Sequence, residues 1–193
     1  MEAVQEMTRP AIGHSGIASG AWTPVEFEAV FLEHFPRVLG VLTRLTSDRG
    51  RAEDLANEVF MKLYKQPPPD AAQTGAGAWL YRTACNLGID ELRASARRRQ
   101  YESRAMEGED RADAGPLDDL LREEQRERVR RVLGDMKPAQ AQILALRSAG
   151  CSYKEIAAAA QTTGGSVGTL LNRAEAEFRK RYLMLFGSEE ADI

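Results

Sequence analysis

Two cysteines, Cys85 and Cys151, and two histidines, His14 and His34, are all the thiol and imidazole donors in 193 residues. They form no CxxC pair and lie far apart in sequence, which argues against a disulfide framework or a structural zinc site. Both thiols are expected to pack as small apolar groups. No apolar run approaches the roughly 20 residues that span a bilayer, and no basic-then-apolar leader pattern opens the chain. The expectation is therefore a cytoplasmic protein without membrane insertion. An excess of positive charge is missing too: 26 Lys and Arg face 29 Asp and Glu, for a formal net charge of −3. A protein held on nucleic acid by bulk charge alone is thereby disfavoured, because non-specific binding is driven by phosphate neutralisation. Nucleic-acid contact would have to come from local patches.

Such patches are present. Basic residues gather from Arg93 to Arg104 and from Arg173 to Arg181, while acids gather between Glu107 and Glu127. The stretch AWLYRTACNLGIDELRASARRR, Ala78 to Arg99, puts Leu80, Ala84, Leu87 and Leu92 on one helical stripe. Arg82, Asn86 and Arg93 fall off that stripe and are expected to face outward. Arg97, Arg98 and Arg99 follow in the last turns, where cations suit the helix dipole. A solvated helix end and a phosphate grip are both compatible with this pattern.

Helical periodicity runs through the chain, and no strand pattern competes with it. Residues 1–22 read as a flexible tail. Thr23-Pro24-Val25-Glu26 forms a capping box with proline at the first helical position. Phe27, Val30, Phe31, Phe35, Val38, Leu42 and Leu45 then continue at helical spacing, with Pro36 expected to bend or split the segment. A second helix follows Asp48 to about Tyr64, burying Leu55, Val59, Phe60 and Leu63. Pro67-Pro68-Pro69 ends it, and a polar loop reaches Gly77. Tyr64, Trp79 and Tyr81 could stack bases or fill the core, and Trp79 reads as core.

After the arginine-rich helix, residues 104–116 gather Gly, Asp and Pro as a linker. Beyond it a helix runs from Leu117 to Met136, and Pro138 opens another that stops near Gly150. Ser152-Tyr153-Lys154-Glu155 is a second capping box, and Thr162 to Gly165 breaks the pattern before a last helix reaches about Phe186. Ser152 to Ala160 followed by Ser166 onward matches a helix-turn-helix, with Ser166, Thr169, Asn172 and Arg173 facing out. Glu53, Asp54 and Glu58, with Asp90 and Glu91, could alternatively form a magnesium site as in all-helical nucleotide pyrophosphohydrolases. Arg49, Arg51 and Lys62 are interleaved with these acids, as on a solvated helix face.

Three segments carry a family resemblance. AEDLANEVFMKLY (Ala52–Tyr64) is similar to an A-E-D-L-x-Q-E-x-F helix. WLYRTACNLGIDELR (Trp79–Arg93) is similar to W-L-x-x-x-A-x-N-x-x-x-D-x-x-R. Leu133 to Pro138 followed by LALRSAGCSYKEIA is similar to L-P followed by an apolar helix and S-Y-x-E-I-A. Together, in this order, they resemble the RNA polymerase sigma factors of the extracytoplasmic-function group, which keep only sigma regions 2 and 4.

The resemblance implies an all-α fold of two small helical domains on a flexible linker. Residues 23–103 would be the region 2 bundle, 104–116 an acidic linker, 117–187 the region 4 helix-turn-helix and 188–193 a tail. It implies no catalysis, no cofactor and no metal. Core RNA polymerase, promoter DNA and an anti-sigma factor would be the partners. Asp54, Asn57, Glu58, Phe60 and Met61 would bind the polymerase clamp. Gln73, Thr74, Arg82, Asn86, Arg93, Arg97, Arg98 and Arg99 would bind the −10 element and help to melt it. Ser166, Thr169, Asn172 and Arg173 would read the −35 element. A helix-turn-helix regulator acting without polymerase is the other binding reading. Three positions depart from the family's recognition helix: Gly168 and Glu175 stand where it has basic residues, and Leu170 where it has arginine. The expectation is unusually weak or unusual upstream recognition.

Overall fold

The structure, a computed structural model, describes residues 22–46, 48–66, 75–105 and 117–187, with the side chains of 102–105 and 117–120 left aside. These residues form helices α1 (Pro24–Leu45), α2 (Arg49–Lys65), α3 (Ala76–Ala105), α4 (Leu117–Asp135), α5 (Pro138–Ser148), α6 (Tyr153–Ala159) and α7 (Gly164–Phe186). The all-α class stands. The linker, the loop before Gly75 and both extreme termini lie outside the described residues.

Helix starts follow local chemistry. The Thr23 hydroxyl accepts the Glu26 N–H, and the Glu26 carboxylate accepts the Thr23 N–H at 3.1 Å, closing the capping box. Asp48 caps α2 by accepting the Arg51 N–H at 3.2 Å. Ser152 and Glu155 repeat the box at α6. Helix α5 ends on Gly150 at φ +82, and the Cys151 N–H returns to the Leu146 carbonyl at 3.1 Å. Helix α6 ends the same way without glycine: Gln161 sits at φ 53 and the Thr162 N–H reaches the Ala157 carbonyl at 2.9 Å.

Two expectations need correction. Helix α1 runs unbroken through Pro36. The proline frees the Leu32 carbonyl, and Leu32 is 67% exposed, on the side where water can serve that group. Trp22, read as the last residue of a flexible tail, is fixed by its indole N–H donating to the Leu63 carbonyl at 2.9 Å and by an edge contact with Phe27.

Helices α1, α2 and α3 form one three-helix group. Phe27, Phe31, Phe35, Phe60 and Tyr64 line the α1–α2 seam, with ring centroids 4.6 Å apart for Phe31 and Phe35 and 4.8 Å for Phe31 and Phe60. Helix α3 approaches α1 closely because residue 88 lacks a side chain: a Cβ there would lie 2.6 Å from Leu45 Cδ1. Helices α4 to α7 form the second group, closed around Leu146, Ile156, Val167, Leu171 and Ala174. The two groups do not stand apart. Helices α5 and α6 pack on α3, and the buried residues of both groups form one continuous cluster.

Candidate nucleic-acid interface

Helix α2 has two stripes of opposite character. Ala52, Leu55, Ala56, Val59, Phe60 and Leu63 are buried against α1 and α3. Asp54, Asn57, Glu58 and Met61 follow at i, i+3, i+4 and i+7 on the exposed side. Phe60, expected with them, belongs to the other stripe at 2% exposure and is a core residue. The signal was legible, since Phe60 continues the spacing of Ala52, Leu55, Ala56 and Val59.

The acids of α2 and α3 do not converge. Glu53 pairs with Arg49 at 3.0 Å and Glu58 with Lys62 at 2.8 Å, both one helical turn away. Glu91 accepts Arg51 from α2 at 2.7 Å and Arg98 from its own helix at 2.6 Å. Hydrogen bonds from Arg51 and then Arg98 hold the Glu91 carboxyl below the usual carboxylate range. Among the described residues no three His, Cys, Asp or Glu side chains gather in a way that could hold a metal ion. The donor set does not fit the magnesium alternative.

Along α3, the outward face expected from the sequence divides in two. Asn86, Arg97 and Arg98 are exposed. Arg82 and Arg93 instead turn toward the second helical group, a correction to their expected outward placement. Arg82 Nε donates to the Ala159 carbonyl at 2.9 Å and Nη2 to the Ala158 carbonyl at 3.4 Å. Arg93 Nε donates to the Gly134 carbonyl at 3.1 Å and Nη2 to the Met136 carbonyl at 2.9 Å. Arg99 pairs with Glu127 of α4 at 2.7 Å. Gln73 and Thr74 lie outside the described residues.

Arg37 and Glu155 meet across the same seam with Tyr81 and His34 beside them, a grouping the sequence did not signal. Tyr81 is 1% exposed, and its hydroxyl meets His34 Nδ1 at 2.9 Å and Arg37 Nη1 at 3.4 Å. Burial raises the Tyr81 phenol to about 12 and lowers His34 from its ordinary value. Arg37 also pairs with Glu155 of α6. Burial opposes the Glu155 charge, but the Ser152 N–H and hydroxyl, followed by Arg37, hold its carboxyl below the ordinary range. No spacing rule joins residues 37, 81 and 155, so only the fold discloses them.

Both cysteines pack as apolar groups: Cys85 and Cys151 are buried free thiols, and burial above all pushes their ionisation up, to about 11 for Cys151. The residues expected on the recognition helix keep their places on α7. Thr169, Asn172 and Arg173 are exposed, while Ser166 is half-buried with its hydroxyl 2.8 Å from that of Thr163. Helix α7 begins at Gly164, two residues earlier than the spacing predicted. Among the described residues no helix is long and apolar enough to cross a membrane.

Fold and surface together define an all-helical protein with an exposed Asp54–Met61 stripe on α2 and an arginine-bearing α3, and the comparisons narrow that class. The family of sigma-70 region 2 matches residues 30–98, from the middle of α1 into α3. RNA polymerase sigma-H factor of Pseudomonas aeruginosa is 27% identical over 157 residues, covering 77% of this chain and 81% of that protein. ECF RNA polymerase sigma factor SigK of Mycobacterium ulcerans is 28% identical, covering 66% and 71%. The sigma factor RpoE of Bartonella quintana, solved in complex with the anti-sigma factor NepR, matches at 22% identity and a TM-score of 0.45, covering 80% of this chain and 94% of that one. A sigma-70 region 2 thus spans residues 30–98, and over most of its length the chain is similar to RNA polymerase sigma factors, one of them of the extracytoplasmic-function group.

Proposed function

We propose that the promoter-directing activity is divided between surfaces that share no side chain. The acidic ridge of α2, formed by Asp54, Asn57, Glu58 and Met61, docks on the clamp of core RNA polymerase. The α3 face, with Asn86, Arg97 and Arg98 and with Arg82, Arg93 and Arg99 when these are released, receives unpaired −10 bases and their backbone. Extruding a base is favourable only where a pocket and a cationic rim receive it, so melting and sequence reading become one step. Thr169, Asn172 and Arg173 of α7 lie against the −35 element.

The observation that carries this reading is the two-sidedness of α2. The exposed stripe of α2 joins Asp54, Asn57 and Met61 to the Glu58–Lys62 ion pair, a mixed polar and apolar surface that suits docking on a protein partner of complementary charge. Polymerase then supplies the affinity that a chain of net charge −3 lacks. Upstream contact is weak on this account, because Gly168 and Glu175 bring no cation to α7 and Leu170 is half-buried. An anti-sigma factor remains the expected regulator and would cover the same docking ridge.

In vitro transcription with core polymerase over a promoter library tests the whole assignment. The chain should initiate from a restricted promoter set, and Asp54→Arg with Glu58→Arg should abolish initiation by abolishing polymerase binding. Strong, ordinary protection of the −35 region by the holoenzyme would reject the weak-contact assignment for α7.

A further inference from the structure

We infer that the cleft between the end of α1 and helices α4, α5 and α7 binds an amphipathic organic anion, a small molecule that joins an apolar body to a phosphate, sulfonate or carboxylate group. The cleft has a volume of about 1140 Å³, room for a ligand of that kind. None of the residues assigned above to polymerase, the −10 element or the −35 element lines it. The inference therefore stands apart from the promoter reading.

Apolar side chains come to the cleft from all four helices. Leu45 of α1 and Leu133 of α4 are buried, whereas Leu144 of α5 and Phe178 of α7 are half-buried and Val129 of α4 is 39% exposed. The last three leave carbon surface that an apolar body would take out of water. Arg130 and Thr46, at 5% and 6% exposure, are the two buried polar residues among the described ones, and both line this same cleft. The wall is thus a built mixture of apolar and cationic groups.

Charge selects the occupant. Arg130 is held by Glu123 at 2.5 Å and Glu127 at 3.0 Å, and Glu123 also accepts Arg126 at 3.4 Å, so that network is balanced within itself. Three further arginines line the cleft without a carboxylate partner among the described residues. Arg44 donates to the Gly40 carbonyl of its own helix, Arg147 lies over the Tyr153 ring, and Arg179 is exposed. Glu175 is the one lining acid outside the network, which leaves a cationic surplus beside the apolar wall. A guanidinium is weakly hydrated and its fork matches phosphate and carboxylate, so such a surplus next to carbon surface favours an anion with an apolar body. A bare inorganic anion would leave the apolar wall wet, and an uncharged apolar ligand would leave the guanidiniums unused.

The test titrates the full chain with anilinonaphthalene sulfonate, an anion on an aromatic body, and follows its fluorescence. Binding should saturate at a single site. Arg147→Glu and Arg179→Glu, both at exposed positions, should each weaken it by about tenfold, the scale of losing a charge-assisted contact, with the Tm unchanged. Lys180→Glu makes the same change of charge one residue away, outside the cleft, and should leave binding as it was. Octyl phosphate should displace the probe, while inorganic phosphate and octanol at the same concentration should not. Equal weakening by Lys180→Glu and Arg179→Glu would overturn the inference, as would equal displacement by octanol and octyl phosphate. So would binding seen only after Glu107, Glu109, Asp110 and Asp113 are replaced by serine, which would give the cleft to the chain's own acids instead.

Discussion

The arginines of α3 and the polar residues of α7 illustrate two ways of holding a proposed DNA-facing surface. On α3, Arg82 and Arg93 are half-buried and bonded to carbonyls of another helical group, and that helix is pinned at Gly88 and Gly77 by close contact with α1. On α7, Thr169, Asn172 and Arg173 project into solvent from a helix that starts with two glycines and carries a third at Gly168. A Cβ at Gly164 or Gly165 would meet nothing within 4 Å. The first surface is rigid and covered; the second is open and loosely built. On the proposed division of labour, tight geometry sits where bases would be extruded, and slack where only a weak upstream contact is asked for.

The largest expected effect breaks the rigid side. Gly88→Val drives a side chain into Leu45, which is fully buried, and should cost roughly 1–3 kcal/mol in chemical denaturation. An unchanged midpoint would mean that α3 is not pinned as described. Next comes the docking ridge. Asp54→Arg should weaken polymerase binding by about tenfold or more, roughly 1.4 kcal/mol, while an exposed site leaves stability within about 0.5 kcal/mol.

The seam itself has a pH signature. His34 is kept neutral by burial, so its ionisation lies lower in the folded chain than the ordinary 6.5. The unfolded chain then binds more protons just below that value, and stability must fall as pH drops from about 6.5. The loss is bounded at about 1.4 kcal/mol per pH unit for one group, and His34→Gln should flatten it in pH-dependent denaturation. A slope that survives this substitution would assign the effect elsewhere. The smallest expected effect is on α7. Gly168→Ala finds only the Tyr153 ring at 3.9 Å and should stabilise by up to about 1 kcal/mol, seen as a raised Tm. Gly168→Lys should in addition strengthen upstream protection.

Helix identities and starts were legible because they depend on neighbours in sequence: Thr23, Asp48 and Ser152 cap through residues three positions on, and Gly150 ends α5 through its own backbone. The two-sidedness of α2 was legible for the same reason, Phe60 included: its spacing put it in the core, and only the family resemblance put it on the docking face. What could not be read was any contact whose partner is a backbone carbonyl. Arg82 and Arg93 look outward on a helical wheel, and nothing in the residue types near 134 or 159 announces an acceptor, since every residue carries one. The Trp22 bond to the Leu63 carbonyl escaped for that reason too. The packing of the second group on α3 joins these contacts to one continuous apolar cluster, and it emerged only with the fold.

The central claim is that the polymerase-docking and DNA-melting surfaces are separate, and open-complex formation measured alongside core-polymerase binding tests it most directly. Asn86→Ala should bind core polymerase as the wild type does and fail to open promoter DNA, whereas Asp54→Arg should fail already at polymerase binding. Loss of polymerase binding in Asn86→Ala, or normal promoter opening by it, would contradict the account.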